Sequence, residues 1–423
     1  GNRLSPQLDL YSLFTYKDSL IEWTENSETT VVDITKNYID SVDDADAVIV
    51  IDINGNGKKD IIVGSGVNGG VFWYEQGADP TSWTQHTIFA DGTYTEIEGV
   101  NAEDVDGDGK IEVFILDQGG GIVDVAKQDT NDPTGSWSST TLDDVALYVQ
   151  SSIIADVNKD GYPDIIYAYE GSTSSEGGVF WQEFLGGDPL DSSNWTKHTM
   201  KQIEGAWWVA QNRKDLSGNG EETDIVCSVR EFNNSDATGQ IFWLEEPSDV
   251  ANEWTKHTIE DGSDYSPGFV DFGNLFDDGH SSDIVGGASD RGSGLYLYRF
   301  SDGWNRTSIE SNDVYRLCWA IDSPNRDRNL ILTQASDELD VWEYDSNGWE
   351  VVETYSSYDK CNDRVIAVNW TDNIDFVAVA ADRGEVAWFE IIEKKTSVTV
   401  ETRYSLDGGS TWSDWQAATN GGP

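Results

Sequence analysis

The sequence predicts an all-β chain folded as a β-propeller, and three observations carry that reading. An acidic loop, Asp-x-Asp/Asn-x-Asp/Asn-Gly-x-x-Asp/Glu, recurs between apolar runs at a blade-sized spacing. Copies of it are followed by a run with a repeated aromatic pattern and then by a run of the type WTxHT. No segment sustains the period of an amphipathic helix, whereas short alternating stretches are bounded by Gly, Asp and Pro.

At the N-terminus, YSLFTY at 11–16, LIEWTE at 20–25 and TVVDIT at 31–36 read as the last three strands of a blade that lacks its first. The first loop carries Asp52, Asn54, Asn56 and Asp60, followed by IIVGS. The second carries Asp104, Asp106, Asp108 and Glu112, and the third Asp156, Asn158, Asp160 and Asp164. The fourth has Asp215, Ser217 and Asn219, and reaches Asp224 after one extra residue. The fifth is stretched from Asp271 to Asp283, with Gly273 and Leu275 where ligands belong; Asp277 and Asp278 lie nearby. Two eroded copies follow, around Asp322, where Arg326 and Arg328 stand in the loop, and around Asn369. First positions are separated by 52, 52, 59, 56, 51 and 47 residues, room for four short strands per repeat.

The third strand of a repeat is marked by VFWYE at 71–75, VFWQE at 179–183, IFWLE at 241–245, LYLY at 295–298, VWEY at 341–344 and VAWFE at 386–390. The fourth is marked by WTQHTI at 83–88, WTKHTM at 195–200 and WTKHTI at 254–259. Seven repeats plus the N-terminal remnant predict seven, alternatively eight, four-stranded blades over residues 1–395. Strands 11–36 are expected to help close the ring, which removes free sheet edges. Residues 396–423 read as a closing strand or as the start of a following fibronectin-like β-sandwich domain.

The charge narrows the function. Asp+Glu number 78 against Lys+Arg 26, a net charge of −52 over 423 residues. Nucleic acid is excluded as a partner, because binding it needs clustered Lys and Arg, and an anionic membrane surface would repel the chain. No apolar run approaches the roughly 20 residues of a membrane span, so direct insertion is not expected. Disorder is excluded by 12% aromatic residues, 18 of them Trp. Self-repulsion of this size is tolerable where salt screens it, which points to a halophilic source; an exported acidic protein whose carboxylates hold Ca²⁺ is the other reading. Three cysteines, Cys227, Cys318 and Cys361, do not make a disulfide framework. Asn-x-Ser/Thr sequons at Asn194, Asn233, Asn305 and Asn369 fit an extracellular protein on a cell or virion surface.

The loops have a chemical logic. Alternate side chains of a tight loop turn inward, so its first, third, fifth and ninth residues converge, and hard oxygen donors in a flexible loop suit Ca²⁺. Asx-turns without metal are the blander reading, favoured for the fifth loop. These repeats resemble the FG-GAP/VCBS repeat family, which includes the propellers of integrin α-subunits, over roughly residues 11–395. The resemblance implies that the loop joins the innermost strand to the next and binds Ca²⁺ structurally at about four sites, formed by the four residues named in each of the first four loops.

The resemblance also implies that ligands dock at the opposite end of the blades. The unusual residues there include Tyr94, Glu96, Glu98, Tyr148, Glu204, Trp207, Trp208, Tyr265, Tyr315, Arg316 and Trp319, with Arg230 and Arg291 in the neighbouring loops. Of these, Glu98, Tyr148, Glu204, Trp207, Trp208, Tyr265, Tyr315 and Arg316 are the candidate ligand contacts; the competing reading is that they plug the channel. His86, His198 and His257 repeat at one blade position, which marks architecture rather than catalysis and leaves only His280 in a loop. A recognition or adhesion module for a glycan or surface protein, as part of a larger surface or virion assembly, is therefore expected. The alternative is a glycan-active enzyme such as a polysaccharide lyase, with Tyr315 and Arg316 as its thin candidate pair. A surface spacer is a third reading.

Overall fold

The computed structural model describes residues 14–16, 19–25, 30–144, 148–171, 176–211, 224–230, 239–262, 267–273, 275, 283–288, 294–300, 304–311, 315–321, 330–335, 338–345, 348–356, 366–368, 374–380, 384–395, 400–405, 410–411, 413 and 416–417. The chain divides into two compact units, Ile34–Glu390 and a smaller one of Gly1–Asp33 with Ile391–Pro423. Each is described by itself below.

The larger unit is an all-β propeller of antiparallel four-stranded blades. Six blades are each built from four consecutive strands: Ala45–Phe89, Ile97–Asp144, Val149–Gln202, Ala206–Gly262, Pro267–Glu310 and Tyr315–Ser356. They are called blades one to six. This corrects the expected seven or eight. The count from sequence treated each eroded loop as the mark of a full repeat. The seventh copy falls after Ile366–Val368, and that strand with Ile374–Ala380 and Glu385–Lys395 has no consecutive fourth partner; the fourth strand of that sheet is Thr30–Ser41. Of the three N-terminal segments, only the last takes that place.

The smaller unit holds the other two. Phe14–Tyr16 pairs with Ser19–Glu25, which pairs antiparallel with Val400–Ser405, Leu20 opposite Ser405 and Glu25 opposite Val400. Gln416–Ala417 completes this sheet.

The blade strands follow from their residues. Second strands such as Asp60–Ser65, Glu112–Asp117 and Asp164–Tyr169 are buried along their whole length, as continuous runs of Ile, Val and other apolar residues require. Fourth strands are mostly exposed, as in Trp83–Phe89, and keep their polar residues in water. First strands of successive blades lie against one another around the ring. Between blades three and four, Ile166, Trp181, Met200, Val209, Phe242 and Trp254 form one apolar cluster. No helix among the described residues is long and apolar enough to cross a membrane.

Two irregularities recur from blade to blade. The first strand bulges shortly after its start, between Ala45/Ala47, Ile97/Gly99, Val149/Ser151, Ala206/Trp208 and Tyr315/Leu317. The third-to-fourth pairing shifts at Val71/Phe72, Val123/Asp124, Val179/Phe180 and Ile241/Phe242. Bulges at fixed places re-aim side chains and increase twist.

The packing can be checked at Trp181, which is 1% exposed. Trp181→Ala should lower unfolding stability by about 3–5 kcal/mol in urea titration; a loss below about 1 kcal/mol would contradict its place in the inter-blade core.

Candidate functional site

At one end of blades one to three the acidic loop leaves the first strand and enters the second. In the first loop Asp52 accepts hydrogen bonds from the Asn56 and Gly57 amides at 3.0 and 2.7 Å. Asn54 Oδ1 accepts from Asn56 N at 3.1 Å, and Asn56 Oδ1 from Lys58 N at 2.8 Å. The third loop repeats this: Asp156 accepts from Asp160 N and Gly161 N, Asn158 from Asp160 N, and Asp160 from Tyr162 N, at 2.9–3.0 Å. The motif glycine is needed because Gly57, Gly109 and Gly161 have φ of 84°, 84° and 94°.

The loop's last acid is the most buried part. Asp60, Glu112 and Asp164 have no solvent exposure. Asp60 accepts from Ile53 N at 3.2 Å and from Gln76 N at 2.9 Å; Asp164 accepts from Val157 N and Phe184 N, both at 2.9 Å. Each carboxyl thus ties its loop to the third strand of its own blade. Glu112 accepts from Val105 N at 3.0 Å. Burial pushes Asp60 up to about 6, Glu112 to about 7 and Asp164 to about 8.

A relay through the third and fourth strands supports the loop's third residue. Asn54 Nδ2 donates to Glu75 Oε1 at 3.0 Å, and Glu75 Oε2 lies 3.3 Å from His86 Nε2, whose ring stacks on Trp73 with centroids 4.3 Å apart. In blade three Asn158 donates to Glu183 at 2.7 Å, Glu183 meets His198 at 2.7 Å, and His198 stacks on Trp181 at 4.5 Å. Blade four repeats the outer part with Glu245, His257 and Trp243. The glutamate holds the amide nitrogen and leaves Asn Oδ1 turned into the loop, as supporting partners of ligand groups do. The Glu of VFW-x-E was the available sequence signal for this relay, and the repeated histidines are its anchors.

Blade two departs. The strand register that places Tyr74 opposite Ile61 places Ala126 opposite Val113, so Lys127 stands where Glu75 does. Its ammonium pairs with Asp106 Oδ2 and lies 2.9 Å from Asp108 and 3.1 Å from Glu112 Oε1. The last contact lacks hydrogen-bond geometry, so Glu112 Oε1, like Asp104 Oδ1, is buried without a hydrogen bond. Asp104, Asp106 and Asp108 offer oxygens within 4.8 Å of one another.

These contacts test whether the loops fit a divalent cation. Among the described residues no ion pair reaches Asp52, Asp60, Asp156, Asp160 or Asp164. One buried carboxylate in each loop, Asp60 and Asp164, with part-exposed hydrogen-bonded oxygens beside it and no ion pair among the described residues, fits a hard cation in the first and third loops. The second loop already contains an ammonium and fits poorly. Of the fourth loop only Asp224 is described, buried and accepting from Glu246 N at 3.4 Å; Asp215, Ser217 and Asn219 lie outside the described residues, as do Asp277, Asp278, Asp322, Arg326, Arg328 and Asn369.

The opposite end is organised by the first-strand bulges. The strand register skips Asp46, Glu98, Gln150, Trp207 and Arg316, and Glu98, Trp207 and Arg316 are candidate contacts. Backbone hydrogen bonds run around this rim. Gln118 N donates to Glu96 O, Tyr148 N to Gln118 O, Glu170 N to Tyr148 O, Gly205 N to Glu170 O and Arg230 N to Gly205 O, at 2.8–3.3 Å. Side chains extend this: Gln118 donates to Glu98 of its own blade at 2.9 Å and accepts across the blade boundary from Gln150. Arg230 donates to the buried Glu170 at 3.1 Å and lies 3.4 Å over the Trp207 ring, a cation–π contact.

Tyr148 is 40% exposed with φ of 66°, at the rim position that Gly205 fills in the next blade. A left-handed backbone costs a residue with a Cβ about 1–2 kcal/mol. Glu204 is half-buried beside Gly205. Trp208 belongs elsewhere: it is 7% exposed, in the core between blades four and five, edge-on to Phe269 at 4.5 Å. Trp207 packs against the edge of the same cluster and is half-buried under Arg230, so the pair differs in depth rather than in place. Tyr265 lies outside the described residues, and Tyr315 and Arg316 are placed only as the start of a strand. Of the sequons, Asn194 ends a short 3-10 turn, its side chain donating to Asp188 O at 3.0 Å, and Asn305 is on an outer strand; Asn233 and Asn369 are outside the described residues.

Comparison with known proteins agrees with this architecture. The family described as FG-GAP-like repeat matches residues 52–115 and 104–167. No curated protein matches the sequence significantly. Among solved structures the chain is similar to the BP39L lectin from Burkholderia pseudomallei, with 15% identity over 89% of this chain and 99% of that one and a TM-score of 0.57. It is also similar to BBS1N, solved in complex with ARL6DN, with 9% identity over 87% of this chain and 96% of that one and a TM-score of 0.52. At such identities the likeness is one of fold. Loops one to three lie inside the matched residues, so this part of the β-propeller is similar to FG-GAP-like repeats.

Proposed function

We propose that the chain is a non-enzymatic binding module, stabilised by calcium at one end of its blades and docking a glycan or surface protein at the other. The observation that carries the reading is Tyr148, an exposed aromatic side chain held on a left-handed backbone at a rim where its equivalent is Gly205. Strain retained at an exposed position marks a functional constraint. Around it Glu98, Gln118, Glu170, Arg230 and Trp207 supply fixed hydrogen-bonding groups and an aromatic face, the mixture that sugar rings and protein hot spots use. The likeness to a lectin of the same fold supports this at the level of architecture alone.

Calcium would neutralise the carboxylates of the first and third loops and hold them against the acids that begin the second strands. Asp52, Asn54, Asn56 and Asp60 would hold one ion, and Asp156, Asn158, Asp160 and Asp164 another. The fourth loop, Asp215, Ser217, Asn219 and Asp224, is the further candidate. An extracellular site of action, on a cell or virion surface, follows from millimolar calcium and the sequons, and would use the acidic surface in high salt.

Two outcomes are expected. Chelation by EDTA should lower the thermal midpoint by roughly 5 °C or more, restored by Ca²⁺ and not by Mg²⁺; an unchanged midpoint would remove calcium from the account. Tyr148→Gly should raise stability by about 1 kcal/mol in urea unfolding, yet weaken binding to ligands identified on a glycan array or by cell-surface pull-down by roughly tenfold or more. Full binding by that variant would show that the rim is not the docking face.

A further inference from the structure

Calcium in the first and third loops is the reading on which the next inference rests. The loops differ in one position of the third strand. Blades one, three and four have glutamate there, Glu75, Glu183 and Glu245, each against a histidine. Blade two has Lys127, whose side chain is 10% exposed and whose ammonium meets carboxylate oxygens of Asp106, Asp108 and Glu112. Blade five has Arg299 at the same register, with Tyr298 opposite Ile284, and its Nε donates to Asp283 at 2.9 Å. A cation on the third strand thus accompanies a loop that departs from the Asn-bearing pattern of loops one and three.

We propose that Lys127 is the resident cation of the second loop, so that this loop does not take Ca²⁺ although its sequence matches the motif most fully. The ammonium already sits among three of the four acids that would ligate the metal, and a second positive charge there would be repelled at contact distance. Loop one reaches the opposite arrangement. Glu75 adds a negative charge beside Asn54 and turns the amide oxygen inward, and among the described residues no ion pair reaches Asp52 or Asp60. Asp104 Oδ1, buried without a hydrogen bond, is the group through which a metal would enter if Lys127 were displaced.

The test is the number of Ca²⁺ ions bound per chain, by equilibrium dialysis with atomic emission on the full chain. The Asp104→Asn/Asp106→Asn variant should keep the wild-type number, Asp156→Asn should lose one ion, and Lys127→Met should gain one. Loss of an ion on Asp104→Asn/Asp106→Asn would overturn the proposal, because the second loop would then be a metal site in the wild type. So would a folded Lys127→Met variant with an unchanged count. Should the wild type bind no Ca²⁺ at all, the calcium reading of loops one and three fails. A Lys127→Met variant that then binds one ion would still uphold the role of Lys127, and one that binds none would overturn it.

Discussion

A buried carboxylate at the start of the second strand is the constraint on which the rest of blades one to five depends. Asp60 and Asp164 each accept one amide from the loop and one from the end of the third strand. That pair of bonds fixes where the loop turns and how the inner strands meet the outer ones. The position is costly, because a carboxylate out of water needs either hydrogen bonds and a counter-charge or a proton. Burial accordingly drives these groups toward the protonated form. A protein cation stands by this carboxylate in blades two and five, and on the proposed reading calcium meets it in blades one and three.

The two ends of a blade answer different demands. At the loop end, Trp, His and Glu are stacked and hydrogen-bonded behind the Asn that faces the loop, so the outer strands help to set the geometry of the loop. At the rim end, bulges shift the register of the first strands, and in blades two to four backbone hydrogen bonds tie the neighbouring loop residues Glu96, Gln118, Tyr148, Glu170, Gly205 and Arg230 into a belt. A belt that is already hydrogen-bonded is preorganised, and preorganised polar groups lose little freedom when a partner arrives.

Much of this was legible in the sequence, for physical reasons. Repeated acids at fixed spacing located the loops, and the apolar runs after them located the buried second strands, because both depend on local residue type. Blade count was not legible. Segments 11–16 and 20–25 look like blade strands, but pairing partners are set by tertiary contact: Phe14–Tyr16 pairs with Ser19–Glu25, which pairs with Val400–Ser405. Trp207 and Trp208 looked alike as ligand platforms until the fold set them at different depths, since burial is a property of the packed chain. Lys127 was visible as an exception to the VFW-x-E pattern, yet its meaning needed the strand register that sets it over the loop.

Amide hydrogen exchange with and without Ca²⁺ measures the central claim most directly, that an added cation locks the loops through their buried carboxyls. Calcium should slow exchange at Ile53, Gln76, Val157 and Phe184, whose amides donate to Asp60 and Asp164, and leave Val105, which donates to Glu112 beside Lys127, unchanged. Equal slowing at all five amides, or none at any, would contradict it.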